Sequence, residues 1–276
     1  MILGAPLTLS AQHPLAARID AVKKAGYSAV QVNLSGEPNA DVAESLKQCA
    51  GEGLDVVAIG CYGNPLQPWV RSAQGEGVCA EDAFALLEFL PVREKPWTIV
   101  LWSGTLSGQL TTPHPGNTSP GALRELNFWA RRASAAFSAK NAKVLFKPHH
   151  AHALNTADGA FDFFSELDNP RIGVVIDVCN FLTPRNFHER EKHIVSAIDL
   201  LAPFAGLATL KDARIEQFMV GYTSPGQGQV GYAGLLRQLK RRCPAIPWMI
   251  ECPESEQQLR HARAYVTLQA QLAGVE

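Results

Sequence analysis

Short apolar runs alternate with longer amphipathic stretches along the whole chain, and this rhythm restricts the fold more than any other feature. Eight runs read as strands, over residues 2–9, 29–34, 56–61, 98–103, 143–149, 172–178, 207–212 and 247–252. Helical patterns fill the intervals, over 14–25, 41–51, 80–90, 120–140, 159–167, 187–201, 232–242 and 254–272. Pro14 and Pro120 suit first-turn positions, Ser119 and Asp158 suit caps, and Gly51 or Gly53 suits the end of the second helix. The strand runs are apolar throughout rather than alternating, as in parallel strands covered on both faces. Eight such units at about 35 residues each predict an α/β chain folded as one (β/α)8 TIM barrel over residues 1–276. A doubly wound sheet shares the alternation, but no Gly-x-Gly-x-x-Gly follows the first run.

Composition removes several function classes. The 276 residues are 46% hydrophobic with a formal charge of −1, so nothing draws the chain to nucleic acid or to an anionic membrane. No apolar run reaches the roughly 18–20 residues that span a bilayer. "MILGAPLTLS" lacks a basic lead and reads as a first strand rather than a signal peptide. Six scattered cysteines, without a Cys-x-x-Cys pair, read as reduced thiols of a cytoplasmic protein.

Polar residues at the strand ends carry the chemistry. Residues two apart on a strand share a face. Lys147 and His149 therefore share one face of the fifth run, and Thr209 and Lys211 one face of the seventh. Asp177 closes "IGVVI" and Glu251 closes "PWMI". A barrel builds its active site at the carboxyl ends of its strands, which predicts one mouth shared by Lys147, Asp177 and Glu251. In the loops, His114 and Gln227 are candidates to meet substrate, and Trp102 and Trp69 could stack on a sugar face. Asp212 reads as a brace at the strand–loop junction, and "LKRRC" (residues 239–243) as a helix end that complements its dipole.

Five segments in order resemble the xylose-isomerase-like sugar phosphate isomerase/epimerase superfamily of TIM barrels: "RIDAVKKAGYSAVQVNL", "IGVVIDVCNFL", "LATLKDAR", "PGQGQVGY" and "WMIEC". The resemblance implies a small carbohydrate substrate, permits a homo-oligomer, and places metal-binding carboxylates at Asp177 and Glu251. It also exposes departures. Lys147 stands where metal-binding members carry Glu, Thr209 where they carry His, and Asn180 where a substrate-contacting His is common, while His149 keeps a frequent family histidine. The paired glutamates used by the family's epimerases therefore cannot both be present.

Several roles for Lys147 follow. It could neutralise Asp177 and Glu251 in the place of a metal and also stabilise an enediolate, with Glu251 as catalytic base and Asp177, Asn180 and Lys211 binding substrate. It could fill the site inertly, in a sugar-binding or regulatory barrel. It could act as a Schiff-base lysine in a lyase or aldolase, which neighbouring carboxylates oppose by raising its pKa. No cofactor is expected, although a divalent metal (Mn, Mg or Zn) could take a shifted site made by His149, Asp177 and Glu251, with His150 or His152 nearby.

Overall fold

The computed structural model describes residues 2–9, 14–71, 77–253 and 255–275. Its strands are β1 (Leu3–Thr8), β2 (Ala29–Asn33), β3 (Asp55–Gly60), β4 (Trp97–Trp102), β5 (Ala142–Lys147), β6 (Ile172–Ile176), β7 (Ala205–Leu210), β8 (Asp212–Glu216), β9 (Met219–Thr223) and β10 (Trp248–Ile250). The helices are α1 (Leu15–Lys24), α2 (Ala40–Gly51), α3 (Asp82–Phe89), α4 (Pro120–Ser138), α5 (Ala157–Leu167), α6 (Arg190–Leu201), α7 (Tyr232–Arg242) and α8 (Glu256–Leu272). Eight strands close into a parallel barrel in the order β1-β10-β7-β6-β5-β4-β3-β2. This is the (β/α)8 architecture that the alternation predicts, and it removes the doubly wound sheet.

The two faces of each strand serve two cores. Val144 and Phe146 of β5 face the helices, where Phe146 meets Trp129 of α4 edge-on with ring centroids 5.9 Å apart. Leu126, Trp129, Ala130, Ala133 and Phe137 form one stripe of α4 at helical spacing. Between the outward residues, Ala58, Val100, Leu145, Val175, Leu207 and Met249 fill the barrel interior. Gly4 of β1 makes room there, because a Cβ would fall 2.6 Å from the Met249 sulfur and that side chain would have to shift. Stepping two residues past this layer toward the carboxyl ends gives Trp102, Lys147, Asp177, Thr209 and Glu251.

Several boundaries differ from the sequence reading. Pro148 ends β5 at Lys147, so His149 lies in the following loop and strand parity no longer carries it onto the barrel axis. The α5 cap is Thr156, whose hydroxyl accepts from the Gly159 N–H, while Asp158 sits in the first turn. Pro14 is the α1 cap residue rather than a first-turn residue. Ser119 caps α4 as expected. Glu254, the expected start of the last helix, lies outside the described residues, and α8 is capped by Ser255.

The largest surprise follows β7. Instead of a loop, β8 and β9 pair antiparallel as a hairpin, from Asp212 opposite Thr223 to Glu216 opposite Met219. Its two-residue turn, Gln217 and Phe218, has φ of 47° and 68°, the left-handed pair that a tight hairpin demands. Asp212 braces its base by accepting from the N–H groups of Ala213, Gly226 and Val230. No helix among the described residues is long and apolar enough to cross a membrane.

Candidate active site

Four charged side chains meet at the carboxyl end of the barrel. Lys147 Nζ lies 2.5 Å from Glu251 Oε1 and 3.0 Å from Asp177 Oδ2. Lys211 Nζ, from the junction of β7 and β8, lies 3.0 Å from Asp177 Oδ2 and 3.3 Å from Glu251 Oε2. Each ammonium thus touches both carboxylates, and the quartet is neutral. Lys147 alone would leave one negative charge against the two carboxylates, and Lys211 cancels it.

Burial sets the strength of these contacts. Lys147 is 0% exposed, Asp177 1% and Lys211 5%, whereas the Glu251 side chain is 29% exposed. Burial alone would lower the pKa of both lysines, but Glu251 and Asp177 outweigh it and hold both above the ordinary range. Burial alone would raise Glu251, but Lys147 and Lys211 outweigh it and bring its carboxyl down to about 2. Glu251 is therefore ionised at neutral pH and both lysines are protonated. That state disfavours the Schiff-base role, which needs a free amine.

Asn180 and an aromatic wall hold the quartet in place. Asn180 Oδ1 accepts from Lys211 Nζ at 2.6 Å, and its Nδ2 donates to the Pro148 carbonyl at 2.9 Å. Lys147 Nζ is 5.5 Å from the Trp102 ring and 5.8 Å from that of Tyr62, and Lys211 Nζ is 4.0 Å from that of Tyr222. Tyr62 and Trp102 pack against each other with centroids 5.1 Å apart. Gln31 Nε2 donates to Tyr62 Oη and to Asn33 Oδ1, and these three residues line a cavity of about 30 Å³ with Thr209 and Glu251. That volume holds a water or a hydroxyl.

Three histidines stand beside this wall, each with its neutral tautomer set by the backbone. His149 Nδ1 accepts from the Ala151 N–H, so Nε2 carries the proton and faces Tyr222 Oη at 3.2 Å. His150 Nδ1 donates to the Asn180 carbonyl at 3.2 Å, and His152 Nε2 to the Leu110 carbonyl at 2.7 Å. Burial pushes all three pKa values down, His149 to about 2 and His152 to about 4.

Of the residues singled out from sequence, Lys147, Asp177, Glu251, Lys211, Asn180 and Trp102 come together. His149 lies beyond the wall, bound to Ala151 and Tyr222. His114 and Trp69 are solvent-exposed, and His114 Nδ1 accepts from the N–H of Gly116 in its own turn. Gln227 is exposed in the loop after the hairpin, where its Oε1 accepts from Thr223 Oγ1. Tyr62 and Tyr222 were missed. Tyr62 was within reach, since it continues the two-residue period of Ala58 and Gly60.

A family model described as the xylose isomerase-like TIM barrel matches residues 19–268. The chain belongs to the xylose isomerase-like TIM barrel family. No curated protein has a matching sequence. Among solved structures, a xylose isomerase-like TIM barrel protein from Mycobacterium smegmatis in complex with magnesium is similar at 13% identity and TM-score 0.71, covering 98% of this chain and 97% of that one. The 3-keto-D-glucoside 4-epimerase of E. coli is 17% identical at TM-score 0.70, with 97% and 99% covered. An L-ribulose 3-epimerase is 16% identical at TM-score 0.72, with 99% and 95% covered. At these identities the likeness shows the fold alone.

In this member of the xylose isomerase-like family, the donor set at the barrel axis does not fit a divalent cation. Asp177 Oδ2 and both Glu251 oxygens already contact ammonium groups. His149 stands outside as a third donor, with both ring nitrogens engaged. Among the described residues, no three His, Cys, Asp or Glu side chains are grouped to hold a metal.

Proposed function

We propose that the protein is a carbohydrate isomerase that works by enolisation without a metal, with Glu251 as the base and the Lys147 and Lys211 ammonium groups as the acceptor of the enediolate charge. The observation that carries this reading is the double contact of both ammonium groups with Glu251, the quartet member with the most exposed side chain. Together the two lysines carry the charge of a divalent cation.

The resting arrangement holds Glu251 near pKa 2, where it is a weak base. A substrate carbonyl oxygen that shares an ammonium draws positive charge away from the carboxylate, and the Glu251 pKa rises toward its ordinary value. Glu251 then takes the α-proton. The C–H electron pair forms the enediolate double bond, and the carbonyl π pair moves to the oxygen facing the lysines. Net charge in the pocket is unchanged throughout this step. The enediolate hydroxyl then passes its proton to the oxygen that carries the charge, and the carbonyl re-forms at the former hydroxyl carbon. Glu251 returns its proton to the neighbouring carbon, which interconverts aldose and ketose. Epimerisation calls for a second acid on the opposite face, and Asp177 is sealed beneath both lysines. Six unpaired cysteines support a reducing, cytoplasmic setting.

A non-catalytic sugar-binding barrel is the second reading, favoured by the complete burial of Lys147. Deuterium exchange separates the two. Chelator-treated protein is incubated in D₂O with a panel of aldoses, ketoses and sugar acids, and C–H loss is followed by NMR. Enolisation gives exchange into at least one substrate, cut by about a hundredfold or more in Glu251→Gln. Equal exchange by that variant rejects Glu251 as base, and no exchange across the panel supports the binding barrel.

A further inference from the structure

Beyond the aromatic wall lies a second cavity, of about 230 Å³, outside the quartet. Leu182, Pro184, Met219 and Val220 give it apolar sides, and Thr111, His149, His150 and Tyr222 supply its polar atoms. Met219, Val220 and Tyr222 come from β9, so the hairpin that follows β7 builds one wall. Tyr222 is the partition. Its ring covers Lys211 Nζ at 4.0 Å, and its side chain also lines this cavity.

The lining selects against charge. Among the described residues it contains no lysine, arginine or carboxylate, and the Lys211 ammonium against the Tyr222 ring is already engaged by Asp177, Glu251 and Asn180. Its two imidazoles are neutral, with pKa values lowered by burial. A phosphate would find no cation here and would give up its hydration. The polar atoms instead suit a hydroxyl. The Asn180 carbonyl can only accept, so His150 Nδ1 carries the proton and His150 Nε2 is left as an acceptor. The cavity is somewhat smaller than the roughly 300 Å³ at which drug-sized pockets begin, so it takes a group rather than a whole large ligand.

We infer that this cavity seats an uncharged apolar substituent of the substrate, an aryl or alkyl group with a hydroxyl beside it, so that the substrate is an unphosphorylated carbohydrate carrying such a group. This rests on the barrel mouth being the reactive centre, as proposed above. The cavity and that centre share Tyr222, which lines the one and contacts Lys211 of the other.

Benzyl alcohol is a minimal probe, with one ring and one hydroxyl. It is titrated by calorimetry and ligand-observed NMR into the parent chain, Val220→Trp, Met219→Trp, His150→Phe and Glu251→Gln, each checked for folding by circular dichroism. Met219 is 71% exposed, so its replacement leaves the core untouched. The seat predicts saturable one-site binding in about the millimolar range, usual for so small a ligand. It predicts weakening by about tenfold or more in either tryptophan variant, which fill the cavity, and weakening in His150→Phe, which removes the acceptor. Binding to Glu251→Gln stays at the parent value, and glycerol phosphate at equal concentration does not compete. Non-saturable binding, parent-like affinity in both tryptophan variants, or displacement by glycerol phosphate overturns the inference. The two readings fail separately. Full deuterium exchange by Glu251→Gln with benzyl alcohol binding intact removes Glu251 as the base and leaves the seat. Exchange that depends on Glu251, without benzyl alcohol binding, removes the seat alone.

Discussion

Replacing Lys147 by Met keeps the length of the side chain and removes its charge, which unbalances the quartet. Lys147 Nζ contacts Glu251 Oε1 at 2.5 Å and Asp177 Oδ2 at 3.0 Å in a fully buried position. Without it, two carboxylates share the single ammonium of Lys211. Removing one partner of a buried ion pair costs about 3–5 kcal/mol, a large part of the roughly 5–15 kcal/mol that holds a folded domain. A loss of that size lowers the melting temperature of a domain this large by about 10 °C. Adding Glu251→Gln restores neutrality, because Asp177 and Lys211 remain as a matched pair. The double variant should therefore lose less than the sum of the two single variants, by about 2 kcal/mol or more. Urea unfolding of the four proteins at pH 7.5, followed by circular dichroism, measures this coupling. Losses that add within about 0.5 kcal/mol would refute the coupled quartet.

Two further outcomes follow. His149 and His152 are buried neutral, with folded pKa values of about 2 and about 4 against an ordinary 6.5, so the unfolded chain binds more protons below that pH. Their contribution is complete above 6.5 and is lost as the pH falls toward the folded values, by about 2 kcal/mol each at pH 5, while that of Glu251 is lost only below about 4.5. Urea unfolding should show a loss of about 4 kcal/mol between pH 7.5 and 5, and a flat profile over that range would contradict the neutral imidazoles. Gly60→Ala would place a Cβ 2.3 Å from Asn33 Oδ1 and 2.8 Å from the Tyr62 ring, so it should destabilise by about 1–3 kcal/mol; unchanged urea unfolding would show that this side of the mouth yields freely.

Much of this architecture was legible in the sequence because a parallel barrel writes itself as uninterrupted apolar strands between amphipathic helices. The two-residue period was enough to bring Lys147, Asp177 and Glu251 to one mouth, since each lies two positions past an interior residue, Leu145, Val175 and Met249. Parity failed where a strand stopped early. Pro148 ends β5, and His149 turned away to Ala151 and Tyr222. The hairpin was hidden because its turn uses Gln217 and Phe218 where Asn-Gly would have announced it, and the glycine-rich segment after it read as one long loop. With the hairpin went Tyr222 and one wall of the second cavity. The full role of Lys211 was hidden for another reason. Its inward direction could be read from strand parity, but its contact with both carboxylates depends on the distance across the barrel, which no local pattern encodes. Loop residues such as His114 and Gln227 have no period to place them.

The central claim is that two lysines stand in for a divalent cation, and metal titration tests it most directly. A Mn²⁺ about 4 Å from an ammonium at an effective dielectric near 20 meets a repulsion on the order of 8 kcal/mol, and two ammonium groups lie at this centre. Parent protein and Lys147→Glu are stripped with chelator and titrated with Mn²⁺ by calorimetry. The lysine-filled centre predicts that the parent binds no tighter than about millimolar, and that the variant, with one cation exchanged for a carboxylate, binds more tightly. Stoichiometric micromolar binding by the parent would contradict it.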